Sequence, residues 1–176
     1  MTGLPHGCAL HHATPADLAA YAGISRRTFA DTYAATHHAD AVARHVAARF
    51  TDARLRAELE GAHMQALAVT HGVEWVGYAL LEAGPAPDAV RGANPVEVAR
   101  FYVDRAWHGR GIAAPLMDAA LDAARGAGHD MAWLGVWEQN SRACRFYARR
   151  GFATVGRATY LFDGLPENDH VMAIVL

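Results

Sequence analysis

Cysteine is almost missing from this chain: two in 176 residues, Cys8 and Cys144. Two thiols so far apart do not build a disulfide framework, which excludes a small cross-linked secreted scaffold. An excess of either charge is missing too, with 16 basic residues against 18 acidic ones and a net charge of −2. That balance excludes non-specific nucleic-acid binding as the main task, while leaving room for a local basic pocket. No run is apolar enough to cross a bilayer, so no membrane partner is expected. Met1 to Leu10 lacks the basic start and long apolar stretch of a signal peptide, and the expected location is cytoplasmic. The 11 histidines include the doublets His11-His12 and His37-His38, but neither HExxH nor a Cys/His ligand spacing accompanies them. No metal site is expected.

What is present is a globular composition, 52% hydrophobic and 19% charged, long enough to bury the core of one domain over residues 1–176. Ala9 to His12 reads as a short strand. Thr14-Pro15-Ala16-Asp17 is a helix start, with a Thr cap, Pro at the first position and an acid in the first turn; that helix runs to about Tyr33. Two short helices follow, Asp40 to Phe50 and Asp52 to Glu60. Met64 to Thr70 and Val73 to Leu81 read as a hairpin turning at His71-Gly72. Gly84 to Pro95 is a loop and Val96 to Val103 a strand. Gly111 to Arg125 and Asn140 to Arg150 read as helices on either side of the strand Met131 to Trp137. Phe152 to Phe162 and His170 to Leu176 are the last strands, joined by Asp163-Gly164-Leu165-Pro166. This order predicts a mixed α/β chain with a mostly antiparallel sheet.

Two motifs carry chemistry. Trp107-His108-Gly109-Arg110-Gly111-Ile112-Ala113 follows a strand and opens a helix. Such a glycine-rich turn lets successive N–H groups converge on a phosphate at a helix N-terminus. Alone it also fits a tight turn without a ligand. About thirty residues on stands Asn140-Ser141-Arg142-Ala143-Cys144-Arg145-Phe146-Tyr147-Ala148-Arg149-Arg150-Gly151-Phe152.

Together these motifs resemble those of the GCN5-related N-acetyltransferases, the GNAT family. Its phosphate motif Gln/Arg-x-x-Gly-x-Gly/Ala corresponds to His108 through Ala113, with His in place of Gln or Arg at the first position. Its second mark, Asn-x-x-Ala-x-x-Phe-Tyr-x-x-x-Gly-Phe, is matched by Asn140, Ala143, Phe146, Tyr147, Gly151 and Phe152. A narrower likeness, over Ile24 to Tyr33, Ala99 to Ala113, Trp133 to Asn140 and Glu167 to Met172, is to the bacterial Pai-type spermidine/spermine N-acetyltransferases. The resemblance implies a GNAT fold: a mixed sheet of about seven strands flanked by helices and splayed between the fourth and fifth strands.

The resemblance also implies acetyl-CoA as co-substrate and no metal. Backbone N–H groups of His108, Gly109, Arg110, Gly111, Ile112 and Ala113 would hold its pyrophosphate. The Arg110 side chain is either a phosphate contact or a solvated charge. Backbone of Phe101, Tyr102 and Val103 would run beside the pantetheine arm as an added strand, and Asn140 would touch that arm. Tyr147 would protonate the leaving thiolate, unless it is only a core tyrosine beside Phe146. Many relatives carry an acid two residues before the terminal aromatic pair of the central strand, where this chain has Ala99. Glu97 and Glu138 are the alternatives for relaying the amine proton, and water alone is a third. Phe29, Asp31, Tyr33 and Trp137, with Trp75, fall where an acceptor would bind, or else pack a core.

The expected activity is acetyl transfer to a primary amine of a small molecule, with polyamines as one class, by direct attack in a ternary complex. The alternatives are a protein N-terminal or lysine acetyltransferase, or a non-catalytic acyl-CoA-binding module. A homodimer is compatible with the fold.

Overall fold

The structure, a computed structural model, describes residues 3–176; residues 1 and 2 of the expected single domain lie outside it. The chain begins with β1 (Cys8–His12). The helix expected at Thr14 starts as a 3-10 turn, Pro15–Asp17, and continues as α1 (Leu18–Tyr33). Asp17 holds Thr14 from two sides, accepting from its N–H at 2.8 Å and its hydroxyl at 2.9 Å. Next come α2 (Ala39–Arg49) and α3 (Asp52–Glu60). Thr51 caps α3 by accepting from the Arg54 N–H. The strands β2 (Met64–His71), β3 (Glu74–Ala83) and β4 (Pro95–Val103) lead to α4 (Ala113–Gly126). β5 (Met131–Trp137), α5 (Ser141–Arg149), β6 (Ala153–Phe162) and β7 (Leu165–Val175) complete it.

The seven strands form one sheet in the order β1-β2-β3-β4-β5-β7-β6, mostly antiparallel, with β4 and β5 parallel. The parallel register is Pro95↔Met131, Val96↔Ala132 and Glu97↔Trp133, and β4 runs six residues beyond it. β5 meanwhile stays paired with β7 as far as Trp137↔Asp169. One expectation is corrected here. The last strand starts at Leu165, not His170, because the turn needs only Asp163 and Gly164, both at positive φ (49° and 82°). Two central residues in the left-handed region make the tight turn that suits strand twist. Pro166 therefore lies inside β7, opposite Leu161 on β6 and beyond the stretch that pairs with β5.

Two compact units divide these elements. The first holds residues up to Leu80 together with Arg100–Ala119. Its core is aromatic: Phe29 packs on Tyr33, His45 and Phe50 with ring centroids 4.7–5.1 Å apart. Beside it, Glu58 accepts from the Tyr21 hydroxyl and from Arg100 Nη2, each at 2.6 Å, and the Arg100 guanidinium lies over the Phe50 ring. The second unit holds Leu81–Ala99 and Ala120–Leu176. There Val90, Trp133, Val171 and Ala173 form a buried cluster with Ala86 and Met131 packed on it.

Candidate functional site

In the first unit, β4 ends at Val103 and the chain turns through Asp104. Asp104 caps the short 3-10 turn Arg105–Trp107, accepting from the Ala106 N–H at 2.9 Å, and ion-pairs with Arg27 at 2.8 Å. Burial works against its charge, but these donors hold its carboxyl below the usual range. Gly109 and Gly111 follow at φ 75° and 81°. A side chain there would be strained, so the two glycines let the backbone double back and α4 begin at Ala113. The N–H groups of Gly109, Gly111, Ile112 and Ala113 make no hydrogen bond among the described residues. Unpaired donors beside left-handed glycines at the start of a 14-residue helix are the kind of arrangement that can hold an anion.

The loop is anchored by what surrounds it. The His108 ring Nε2 donates to the Val103 carbonyl at 2.9 Å, closing the loop onto the end of β4. The departure from Gln or Arg at this position thus has a structural task. The Arg110 guanidinium lies over the Trp107 ring at 5.3 Å, a cation–π contact that leaves it at the exposed surface. Below the loop Ile112, Leu116 and Met117 are fully buried, each stabilising the unit by about 1.5–3 kcal/mol. They reach β3 because Gly77 has no side chain: a Cβ there would stand 3.1 Å from Ile112 and 3.3 Å from the Tyr102 carbonyl.

In the second unit, Asn140 caps α5 by accepting from the Ala143 N–H at 3.2 Å. At the other end Gly151 turns left-handed at φ 93°. The Gly151 N–H donates to the Ala148 carbonyl and the Phe152 N–H to the Tyr147 carbonyl, both at 3.1 Å. This is a Schellman ending, and its usual apolar contact is the Phe152 ring on the Tyr147 ring, centroids 5.8 Å apart. The second motif of the sequence is therefore one device: a cap and a stop that fix where Tyr147 sits. Tyr147 is buried, and burial, with the Cys144 thiol adding to it, pushes its phenol above its ordinary value. It stays protonated at neutral pH.

The same unit holds two carboxylates withdrawn from water without partners. Burial, reinforced by Glu82, pushes Glu97 up to about 7. Burial, then Glu167 and Glu138 against an opposing His170, pushes Asp169 up to about 6. Neither side chain has a hydrogen bond or ion pair among the described residues. Asp169 was absent from the sequence-based candidates, although it lies in the C-terminal stretch of the Pai likeness. The β5–β7 register, which alone brings it opposite Trp137, is not visible in the sequence. Glu138 stands just past β5, its N–H donating to the Asn168 carbonyl at 3.0 Å.

Residues 28–152 match the model of the Acetyltransferase (GNAT) family. The chain is a GNAT acetyltransferase. Uncharacterized N-acetyltransferases of Mycobacterium tuberculosis and Mycobacterium bovis are 34% identical to it over 151 residues, 86% of this chain and 92% of theirs. Its fold is similar to that of a PaiA N-acetyltransferase from Thermoplasma acidophilum in complex with coenzyme A, at TM-score 0.75 and 17% identity, covering 96% of this chain and 99% of that one. It is also similar to the ribosomal-protein-S18-alanine N-acetyltransferase from Escherichia coli, at TM-score 0.70 and 15% identity, covering 96% and 93%. The seven-stranded mixed sheet expected from the sequence is the one observed, and the chain is an N-acetyltransferase.

In this acetyltransferase the residues expected at the acceptor end belong to different units. Phe29 is only 3% exposed and Trp75 only 6%, so both rings serve packing. Asp31 is exposed on α1 and Tyr33 half-buried at its end, against the Phe29 ring. Trp137 is half-buried at the end of β5 in the second unit. On β4, Phe101, Tyr102 and Val103 are all half-buried, and Tyr102 stacks on Tyr78 at 5.8 Å. No helix is long and apolar enough to cross a membrane among the described residues.

Proposed function

We propose that the enzyme carries acetyl from acetyl-CoA to a primary amine of a small molecule, polyamines being the class nearest the Pai likeness. The observation that carries the coenzyme part is the loop at residues 108–113, with its left-handed glycines and unpaired N–H groups at the start of α4. In this reading the N–H groups of Gly109, Gly111, Ile112 and Ala113 take the diphosphate, while those of His108 and Arg110 already donate to the Arg105 and Trp107 carbonyls, and the Arg110 side chain adds a charge at the exposed edge. The backbone of Phe101, Tyr102 and Val103 receives the pantetheine arm in the manner of an added strand, and one of its N–H groups polarises the thioester carbonyl. Asn140, besides its cap, meets the same arm.

Tyr147 supplies the proton that the departing thiolate needs. An alkyl amine with pKa about 10.4 must lose a proton before it attacks, at a cost of roughly 4–5 kcal/mol at pH 7. Glu97 is the relay best suited to that, since a carboxyl at about 7 accepts a proton and gives it back near neutral pH. Glu138 is the other carboxylate proposed for the role.

The test is thiol release from acetyl-CoA with a panel of amines and peptides. The chain contains no lysine, since all 16 of its basic residues are arginine, so acetyl-lysine formed with a peptide belongs to the peptide. Spermidine or another small amine is expected to turn over. Tyr147→Phe is expected to lower kcat by about 100-fold or more, the usual worth of a positioned proton donor, with coenzyme A affinity kept. Turnover of peptides only would overturn the small-amine reading. Coenzyme A binding with no turnover of any acceptor would leave an acyl-CoA-binding module.

A further inference from the structure

We infer that Asp169 receives a cationic amine of the acceptor in the second unit, at the place where exposed Gly135 leaves its flank open and Trp137 stands opposite. The inference rests on the amine-acetylating reading above and names the residue that selects a charged group on the acceptor besides the amine that attacks.

Asp169 on β7 pairs with Trp137 on β5. Residues directly opposite in an antiparallel ladder project to the same face, with Cβ atoms about 4.5–5.5 Å apart. Gly135, two residues earlier on β5, shares that face. A Cβ on Gly135 would lie 3.2 Å from Asp169 Oδ2, so the carboxylate leans over the place where any other residue would start a side chain. Gly135 is itself exposed, and the flank of the carboxylate is open there.

This carboxylate is half-buried and has no hydrogen-bond or ion-pair partner among the described residues. A charge withdrawn from water without a partner is costly unless a ligand supplies one. The groups that face it sharpen the point. Glu167 and His170 are on its own strand, Glu138 follows β5, and Cys144 comes from α5. Across on β6, Ala158 stands opposite, with Arg157 one residue away against His170. The carboxylates hold the surroundings of Asp169 negative, and Asp169 is still ionised at neutral pH. Among the described residues no group of three His, Cys, Asp or Glu side chains could hold a metal ion. An ammonium group on an apolar stem suits that place, with its N–H donors on the carboxylate and its carbons on the Trp137 ring.

The strand opposite Asp169 is tied to the helix that carries the proposed acid, Tyr147. Cys144, one helical turn before Tyr147 on α5, donates its thiol to the Trp137 carbonyl at 3.8 Å. The strand residue opposite Asp169 and the helix of Tyr147 are therefore in contact.

The experiment titrates spermidine into the protein saturated with coenzyme A, by calorimetry, alongside steady-state acetylation. Asp169→Asn is expected to weaken spermidine binding and raise its KM about 10–100-fold, the worth of a hydrogen bond to a charged group, while KM for acetyl-CoA stays put. Asp169→Glu should recover part of the loss. Gly135→Ala, which puts a methyl group 3.2 Å from Asp169 Oδ2 and crowds the carboxylate without removing its charge, should weaken spermidine in the same direction and serves if Asp169→Asn fails to fold. Equal spermidine affinity in the wild type and Asp169→Asn overturns the inference, and so does a wild type that binds no spermidine. Spermidine binding that depends on Asp169 but leads to no acetylation keeps the subsite and overturns the proposed activity.

Discussion

The two units treat buried charge in opposite ways. In the first, the carboxylates that leave water are met by arginine: Glu58 by Arg100 at 2.6 Å and Asp104 by Arg27 at 2.8 Å, with the Tyr21 hydroxyl adding to Glu58. In the second, Glu97 and Asp169 are withdrawn from water with no such partner among the described residues, and both hold protons to higher pH than a free carboxyl. A pair satisfied within the chain fixes structure; an unsatisfied group is held for something outside it. Strongly perturbed groups without an internal explanation mark functional sites more often than paired ones do.

The largest effect should come from breaking a pair in the first unit. Arg100 and Glu58 have side chains only 15% and 14% exposed. Arg100→Ala strips Glu58 of its cation while leaving its charge buried, which should cost about 3–5 kcal/mol. Thermal unfolding should show a midpoint lower by roughly 10 °C. Arg100→Ala with Glu58→Gln should recover much of that loss, because the stranded charge is then gone. A single variant with an unchanged midpoint would erase the contrast between the units.

In the second unit the same kind of manipulation should act with reversed sign. An unfolded glutamate titrates near about 4.3. Folded, Glu97 keeps its proton up to about 7. Between those values the native state binds more protons than the unfolded one, so stability present at low pH is lost as pH rises through 7. Glu97→Gln cannot ionise and escapes that loss. Its unfolding midpoint should match the wild type near pH 5 and exceed it at pH 8, by on the order of 1 kcal/mol once the partial exposure is discounted. If Glu97 is also the proton relay, the same variant removes the acidic limb near pH 7 from the profile of kcat/KM.

This contrast also explains what could be read in the amino-acid sequence. Local devices were legible. The glycines at 109 and 111, the Asn140 cap and the Gly151-Phe152 stop each act within a few residues, so they betray both the loop and the placing of Tyr147. The start of β7 was misread because Pro166 suggests a turn, although Asp163 and Gly164 suffice to make it. The long-range partners were invisible. Tyr21, Glu58 and Arg100 meet across 37 and 42 positions. Asp169 meets Gly135 only through strand register, and nothing near it in sequence signals that contact. The aromatic candidates Phe29 and Trp75 went into packing, since periodicity cannot tell a core ring from a ligand-facing one.

The smallest effect separates structure from function in one side chain. Asn140 has a partner, the Ala143 N–H at 3.2 Å, so it resembles the satisfied groups of the first unit; it is also proposed to touch the coenzyme arm. Asn140→Ala removes both contributions and should lower stability by about 1 kcal/mol, the usual worth of an N-cap. Asn140→Ser keeps a capping oxygen but lacks the amide. Its unfolding midpoint should stay within a degree or two of the wild type, since Ser and Asn cap about equally well. Affinity for acetyl-CoA then decides. A serine variant as stable as the wild type but several-fold weaker for the coenzyme shows that a satisfied group in this unit serves the ligand as well. Equal affinity leaves Asn140 a cap alone, and the division between satisfied and unsatisfied groups then holds for it too.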